Sequence, residues 1–100
     1  MATFIVAPAA EDDVFQIWCY LLDQAGPVVA DRVEREILVK FANLAAIPGI
    51  GHRRPDLTRS DVLFYTLYEF MIVYRRGNPL QILGVLHAKR DLHHLLSERL

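Results

Sequence analysis

Phe70-Met71-Ile72-Val73-Tyr74 is apolar at every position, on both alternations of a strand. A strand with one wet face alternates apolar and polar side chains, so a run without a polar position needs cover on both sides. The segment from Phe70 to Arg75 therefore reads as the central, most buried strand of a sheet. After it, Arg76-Gly77-Asn78-Pro79 signals a reversal, since Gly, Asn and Pro all favour turn backbone. Leu80 to His87 reads as the next strand. Before it, Tyr68-Glu69 is a shorter reversal, preceded by a strand-like run from Val62 to Leu67. Three strands with links this short form an antiparallel meander.

Working towards the N-terminus, Ile50-Gly51-His52-Arg53-Arg54-Pro55-Asp56-Leu57-Thr58-Arg59 is a loop. Upstream of it the period changes from two to 3.6. Val29, Val33, Ile37, Phe41, Leu44 and Ala45 make one apolar helical stripe that ends before Pro48-Gly49. Asp31 with Arg35, and Glu36 with Lys40, place opposite charges four residues apart on its wet side. Another stripe, Val14, Ile17, Trp18, Leu21 and Leu22, marks a helix over 9–25. Pro8 suits its first turn, and Glu11, Asp12 and Asp13 suit the positive end of its dipole. Gly26-Pro27 separates the two helices, Gly being able to take a left-handed cap. The result is a helical hairpin whose apolar face needs a third surface. Thr3 to Val6 is a short strand expected to join the meander, and Asp91 is placed to cap a last short helix through Leu96. Phe41, Phe64, Tyr74 and Trp18 are core candidates. The expected architecture is α+β, β-α-α-β-β-β, with the hairpin packed on a mainly antiparallel four-stranded sheet.

The composition fits one globular domain over residues 1–100: 53% of residues are hydrophobic and 23% charged. Cys19 is the one cysteine, so no intrachain disulfide can form, and it reads as a packing thiol. The first residues lack the basic start and long apolar core of a signal peptide. No apolar run reaches the roughly 18 residues of a membrane span. A cytoplasmic protein is the expectation. The net charge of −1 gives no general attraction to nucleic acid or to acidic membranes. The charge is unevenly placed, however: residues 1–50 carry three Lys/Arg against seven Asp/Glu, and residues 51–100 carry eight against five. The asymmetry reads either as two differently solvated faces or as a basic working face in the second half, with an acidic helical side turned away from it or towards a partner.

Three stretches carry a family resemblance. Ile17-Trp18-Cys19-Tyr20-Leu21 resembles the first-helix signature of ParE-like toxins. Leu44-Ala45-Ala46-Ile47-Pro48-Gly49-Ile50-Gly51-His52-Arg53-Arg54-Pro55-Asp56-Leu57 is similar to that family's Gly/Pro loop. Tyr74-Arg75, Ile82-Leu83 and His87-Ala88-Lys89-Arg90-Asp91 resemble its C-terminal pattern. The likeness runs in order from about residue 3 to residue 96, and the family fold is the one the periodicities give independently. It implies the toxin half of a type II toxin–antitoxin pair of the RelE/ParE superfamily, neutralised by a ParD-like antitoxin and needing no cofactor. ParE-like members poison DNA gyrase, whereas RelE-like members cleave mRNA on the ribosome. Fold alone does not choose between these.

The RelE-like reaction uses an arginine on the central strand, another after the last strand, and a tyrosine or histidine near the C-terminus. Carried onto this chain, those positions fall near Met71, on Arg90 and near Leu96. Met71 cannot stabilise a phosphorane charge and Leu96 cannot move a proton. The resemblance therefore favours a toxin that is not a hydrolase and that makes contact with gyrase through Arg90, Lys89, His87, Arg53 and Arg54, without sequence-specific nucleic-acid binding. Each of these has a structural alternative. Lys89-Arg90-Asp91 could cap the last helix, His87 could be a hydrogen-bonded histidine at a sheet edge, and Arg54-Pro55-Asp56-Leu57 could fix the loop to the sheet. Arg53, Arg54 and Arg59 could simply be solvated. His93 and His94 are the acid/base candidates if the chain is instead a ribosome-dependent endonuclease. Being adjacent on a helix, they diverge by about 100° and cannot both face one site. No ligand spacing around His87 supports a metal. A third reading is a module that only captures antitoxin.

Overall fold

A computed structural model describes residues 3–100 of the chain. Its elements are β1 (Phe4–Val6), α1 (Pro8–Ala25), α2 (Pro27–Ala46), a 3-10 turn (Pro48–Ile50), β2 (Leu63–Leu67), β3 (Phe70–Arg75), β4 (Leu80–His87) and α3 (Leu92–Arg99). Pro8 and Pro27 each begin a helix, where the missing N–H has no intrahelical acceptor to lose. Gly26 alone separates α1 from α2. Its φ of +87° suits a residue without a Cβ, its N–H donates to the Leu22 carbonyl at 3.2 Å, and its carbonyl accepts from the Ala30 N–H at 3.1 Å. One residue thus closes one helix and opens the next, which makes the hairpin the sequence predicts.

The sheet order is β1-β4-β3-β2. β3 pairs antiparallel with both β2 and β4, and β1 pairs parallel with β4, Phe4 opposite Leu80 and Val6 opposite Ile82. All five residues Phe70 to Tyr74 are buried. Phe70, Ile72 and Tyr74 enter the core beneath the hairpin, with Val14, Ile17, Leu21, Ile37 and Phe41. Met71 and Val73 enter a second core with Val62, Phe64, Leu86, Leu92 and Leu96. The apolar run is two-faced because α3 covers the side that the hairpin leaves open. Burying each large side chain contributes about 1.5–3 kcal/mol, so both layers hold the sheet.

β4 departs from simple alternation. Val73 lies opposite Gly84 but Tyr74 lies opposite Ile82, so Leu83 is an extra residue in the ladder. The bulge lets Leu80, Ile82 and Val85 share the hairpin-side core, while Leu83 and Leu86 pack on the α3 side.

Several side chains take other roles than their spacing predicts. Leu22 is exposed on the outer side of α1, not in the core stripe. Trp18 is half-buried, its indole N–H donating to Asp31 Oδ1 at 2.8 Å. A polar edge and a carboxylate within reach hold that ring at the rim. The i,i+4 pairs of α2 do not form either. Asp31 takes Trp18, Glu36 accepts from the Tyr68 hydroxyl, and the Lys40 ammonium sits 4.8 Å from the centre of the Tyr65 ring. Tertiary partners outcompete an exposed helical pair, which offers only about 0.2–0.5 kcal/mol.

The Gly/Pro loop is fastened from beneath. The buried Tyr74 hydroxyl donates to the Pro48 carbonyl at 2.6 Å and accepts from the Gly51 N–H at 3.0 Å. His52 and Phe64 exchange both backbone hydrogen bonds. Among the described residues, no helix is long and apolar enough to cross a membrane.

Candidate functional site

A groove of about 560 Å3 opens where α1, the end of β4 and α3 meet. Its floor includes Ile17, Phe70 and Val85, all buried, with the half-buried Leu95 beside them. α1 forms one bank with Asp12, Gln16 and Tyr20. The opposite bank is the turn after β4, which presents Lys89 and Arg90. The α1 helix supplies residues 13, 16, 17 and 20 at helical spacing, so one face of it lines the whole length.

At one end of the groove three elements are locked together. Asp13 of α1 accepts two hydrogen bonds from the Arg99 guanidinium of α3, at 2.6 and 2.7 Å. The same carboxylate accepts from the Val85 N–H, at 2.9 Å, just past the bulge in β4. The pair is mostly withdrawn from solvent, Asp13 being 13% and Arg99 25% exposed at the side chain. Hydrogen bonding to Asp13 raises the Arg99 pKa, so the guanidinium is charged at any physiological pH. Gly84 makes room for the pair: a Cβ there would stand 2.7 Å from Arg99 Nη1 and 3.4 Å from Asp13 Oδ2.

At the other end His87 terminates β4. Its Nε2 lies 3.1 Å from Glu69 Oε2, and its ring meets Phe70 and Tyr20 edge-on, at centroid distances of 5.4 and 6.3 Å. His87 is therefore a packed, hydrogen-bonded histidine at the end of β4, beyond Ile82, the last residue that β1 pairs, and so at a locally open edge of the sheet. Its carbonyl accepts from the Arg90 N–H and its Nδ1 from the Lys89 N–H, which tightens the turn that carries both cations. Lys89 and Arg90 are exposed and form no ion pair among the described residues. Asp91 caps α3 by accepting from the His94 N–H.

The other sequence candidates lie elsewhere. Arg53 pairs with Asp61, and Arg54 grips Asp56 through two hydrogen bonds of 3.0 and 2.8 Å. That grip raises the Arg54 pKa and lowers that of Asp56, yet both side chains are exposed, so it stabilises the loop little. Arg54 ties the loop to itself, and Tyr74 ties it to the sheet. His93 shares a shallow surface concavity with Arg59 and Ser97, and His94 pairs with Glu98 one turn on. Neither histidine lines the groove that holds Arg90. Met71 and Leu96, near which the RelE resemblance places two of its catalytic positions, are 4% and 2% exposed and share the core under α3. Among the described residues, no three His, Cys, Asp or Glu side chains come together to hold a metal.

Asp13, Arg99 and Tyr20 are absent from the sequence-based candidates. Asp13 looks like any acid near a helix start, and its partner lies 86 residues away.

A helical hairpin on one face of a four-stranded sheet, with a short helix on the other, is the fold of a chain from the chromosomal ParDE TA system of P. aeruginosa. The match has a TM-score of 0.75 at 23% identity and covers 89% of this chain and 98% of that one. The model of the family described as ParE toxin of type II toxin-antitoxin system, parDE, matches residues 4–92, and the chain belongs to that family. α3 beyond Leu92, with Arg99, lies outside the matched stretch. No curated protein sequence matches the chain.

Proposed function

We propose that this ParE-family toxin acts in the cytoplasm on DNA gyrase, by protein contact and without hydrolytic chemistry of its own, and that a ParD-like antitoxin neutralises it. One observation carries the reading. Of the three positions that the RelE resemblance assigns to RNA cleavage, two fall near Met71 and Leu96, which are buried and apolar, and only the third, on Arg90, bears charge. Beside a groove with an apolar floor and polar banks stand two exposed cations, Lys89 and Arg90, which form no ion pair among the described residues. Cations beside apolar and aromatic surface are the composition of a protein-recognition site.

Incubating the chain with gyrase and supercoiled plasmid, beside a translation extract carrying a reporter mRNA, tests the proposal. The expected result is linear DNA with intact mRNA. The double substitution Lys89→Ala with Arg90→Ala is expected to raise the concentration needed by about tenfold or more. Unchanged plasmid at micromolar concentration would sink the gyrase reading. Cut mRNA would instead favour a ribosome-dependent endonuclease using Arg90 with His93 or His94. If expression without antitoxin leaves growth unaffected, only antitoxin capture is left.

The antitoxin needs a different surface. Phe15, Trp18 and Leu22 follow one another at i, i+3 and i+7 on the outer side of α1. Phe15 and Leu22 are exposed, and the rings of Phe15 and Trp18 stack at 6.4 Å. A disordered tail that folds on binding would cover this stripe with apolar side chains. Phe15→Ser with Leu22→Ser is expected to weaken antitoxin binding more than tenfold with the melting temperature almost unchanged, since neither side chain is in the core. Full co-purification of the double variant with the adjacent gene product would exclude the stripe.

A further inference from the structure

The groove between α1 and the β4–α3 turn selects a particular kind of protein segment. We infer that it receives one apolar side chain on its floor and a neighbouring carboxylate on Lys89 and Arg90, so that its occupant is an acidic-apolar protein segment. This rests on the reading of Lys89 and Arg90 as target contacts and specifies what they contact.

The groove's volume, about 560 Å3, lies within the range of sites that enclose small ligands and is ample for one or two large side chains. Its floor of Ile17, Phe70, Val85 and Leu95 offers no hydrogen-bonding side chain, so what lies on it is apolar. The charges of the banks are not equivalent. Asp13 has two guanidinium donors and a backbone N–H, and Arg99 is fully engaged in return, so this pair has little left for a ligand. His87 is turned to Glu69. The groups left over are Asp12 and Gln16 on the α1 bank, and Lys89 with Arg90 on the other. The two cations stand on a turn whose backbone is held by His87, so they are presented to the groove at little cost in order. Tyr20, 47% exposed and edge-on to His87, adds an amphipathic rim of the kind that anchors protein partners.

A nucleic-acid phosphate is also attracted by Lys89 and Arg90, but the groove opposes a backbone. Asp12 lines the α1 bank without a cationic partner among the described residues, and the floor is apolar. A phosphodiester strand would bring one charge per nucleotide past Asp12 and would leave the apolar floor uncovered. A protein segment brings one or two carboxylates at chosen places and fills the floor as well.

The test uses the full chain and three probes. The first is a capped ten-residue peptide with one central leucine flanked by glutamates. The second is the same peptide with lysine for each glutamate, and the third is a ten-nucleotide single-stranded DNA. Binding is read from backbone amide shifts in NMR titrations. The glutamate peptide is expected to move the amides of Tyr20, Val85, Lys89, Arg90 and Leu95, and to bind about tenfold more tightly than the lysine peptide at low salt. Lys89→Glu with Arg90→Glu is expected to reverse that preference. Both side chains are exposed, so the variant keeps its fold. Tyr20→Ala is expected to weaken both peptides. An absence of groove shifts at millimolar glutamate peptide, or equal binding of the two peptides, would overturn the inference. DNA binding in preference to the glutamate peptide would overturn it too and assign the cations to phosphate. Gyrase takes no part in these titrations, so their failure is separable from failure of the plasmid assay.

Discussion

Asp13→Ala is expected to lower the stability of the chain by about 2–4 kcal/mol and to loosen α3. The carboxylate serves three elements at once: it belongs to α1, neutralises Arg99 of α3, and accepts from the Val85 N–H of β4. Truncating it leaves a guanidinium that is 25% exposed without its counter-charge and strands an amide beside the bulge. Breaking a buried pair from one side costs about 3–5 kcal/mol, and partial exposure of both members lowers that figure here. An unsatisfied amide adds about 1–3 kcal/mol where water cannot reach it. Urea denaturation measures the sum. Asp13→Asn separates the contributions, because an amide oxygen can still accept from Val85 while the charge is gone, and its loss should fall between wild type and Asp13→Ala. Arg99→Ala should resemble Asp13→Ala. If hydrogen exchange in α3 were as slow in Asp13→Ala as in wild type, the clamp would not be what holds the helix.

The clamp also bears on the proposed target face. Leu92 and Leu96 anchor α3 in the second core, and Arg99 fastens its far end to α1. The turn carrying Lys89 and Arg90 lies between β4 and this helix. It is held at one end by the β4 ladder and at the other by the Asp91 cap. A site at the junction of three elements has its geometry set by their packing, so a change at residue 13 reaches Arg90 without touching it. Among the described residues Arg90 forms no ion pair with a carboxylate, which leaves its charge free for the contact proposed above.

Local chemistry made much of this architecture readable. Five apolar residues in succession announce a strand covered on both faces, and Phe70 to Tyr74 is that strand. Gly26-Pro27 between two 3.6-residue stripes announces a hairpin, and the chain turns there on one residue. Asp91 announces a cap, and its carboxylate makes the capping bond. Non-local events are where the reading stops. Nothing near Leu83 marks it as an extra residue, since a bulge is defined by the register of the neighbouring strand. The parallel pairing of β1 with β4 joins segments more than 70 residues apart. Asp13 and Arg99 are 86 apart, and each alone looks like a helix-end charge matched to the dipole. The same limit explains Trp18 and Leu22. Helical spacing fixes which residues share a side of α1, but the width of the buried stripe depends on how α2 and the sheet press against it. Of the cationic candidates, the structure gathers His87, Lys89 and Arg90 at one groove and leaves Arg53 and Arg54 paired in the loop.

Gly51→Ala is expected to destabilise the chain by about 2–4 kcal/mol, and to cost less when residue 74 already lacks its hydroxyl in Tyr74→Phe. A Cβ on residue 51 would press on the Tyr74 hydroxyl and stand 2.9 Å from two ring carbons. The ring is fully buried in the hairpin-side core, so it cannot swing aside, and overpacking of this kind costs about 1–3 kcal/mol before any hydrogen bond is lost. Displacement also breaks the bonds from the hydroxyl to Pro48 and from Gly51 to the hydroxyl, about 0.5–1.5 kcal/mol each. Tyr74→Phe alone forfeits those two bonds but keeps the packing. In the double variant the hydroxyl is absent, so the nearest clash is gone while the ring contacts persist. The combined loss should therefore be smaller than the sum of the single losses, by about 1 kcal/mol or more in a double-mutant cycle. Additive losses would mean that the loop moves away from Tyr74 instead of meeting it. The phenol gives a second reading of the same contact. Burial raises the Tyr74 pKa above its ordinary value near 10, against smaller opposing effects from the Gly51 N–H and Arg76. The folded state thus favours the neutral hydroxyl, and its contribution is complete below about pH 10. As pH rises from there the unfolded chain ionises first, so stability falls, and it continues to fall until the folded phenol ionises as well. Urea midpoints compared between pH 8 and pH 11 should therefore drop further for wild type than for Tyr74→Phe.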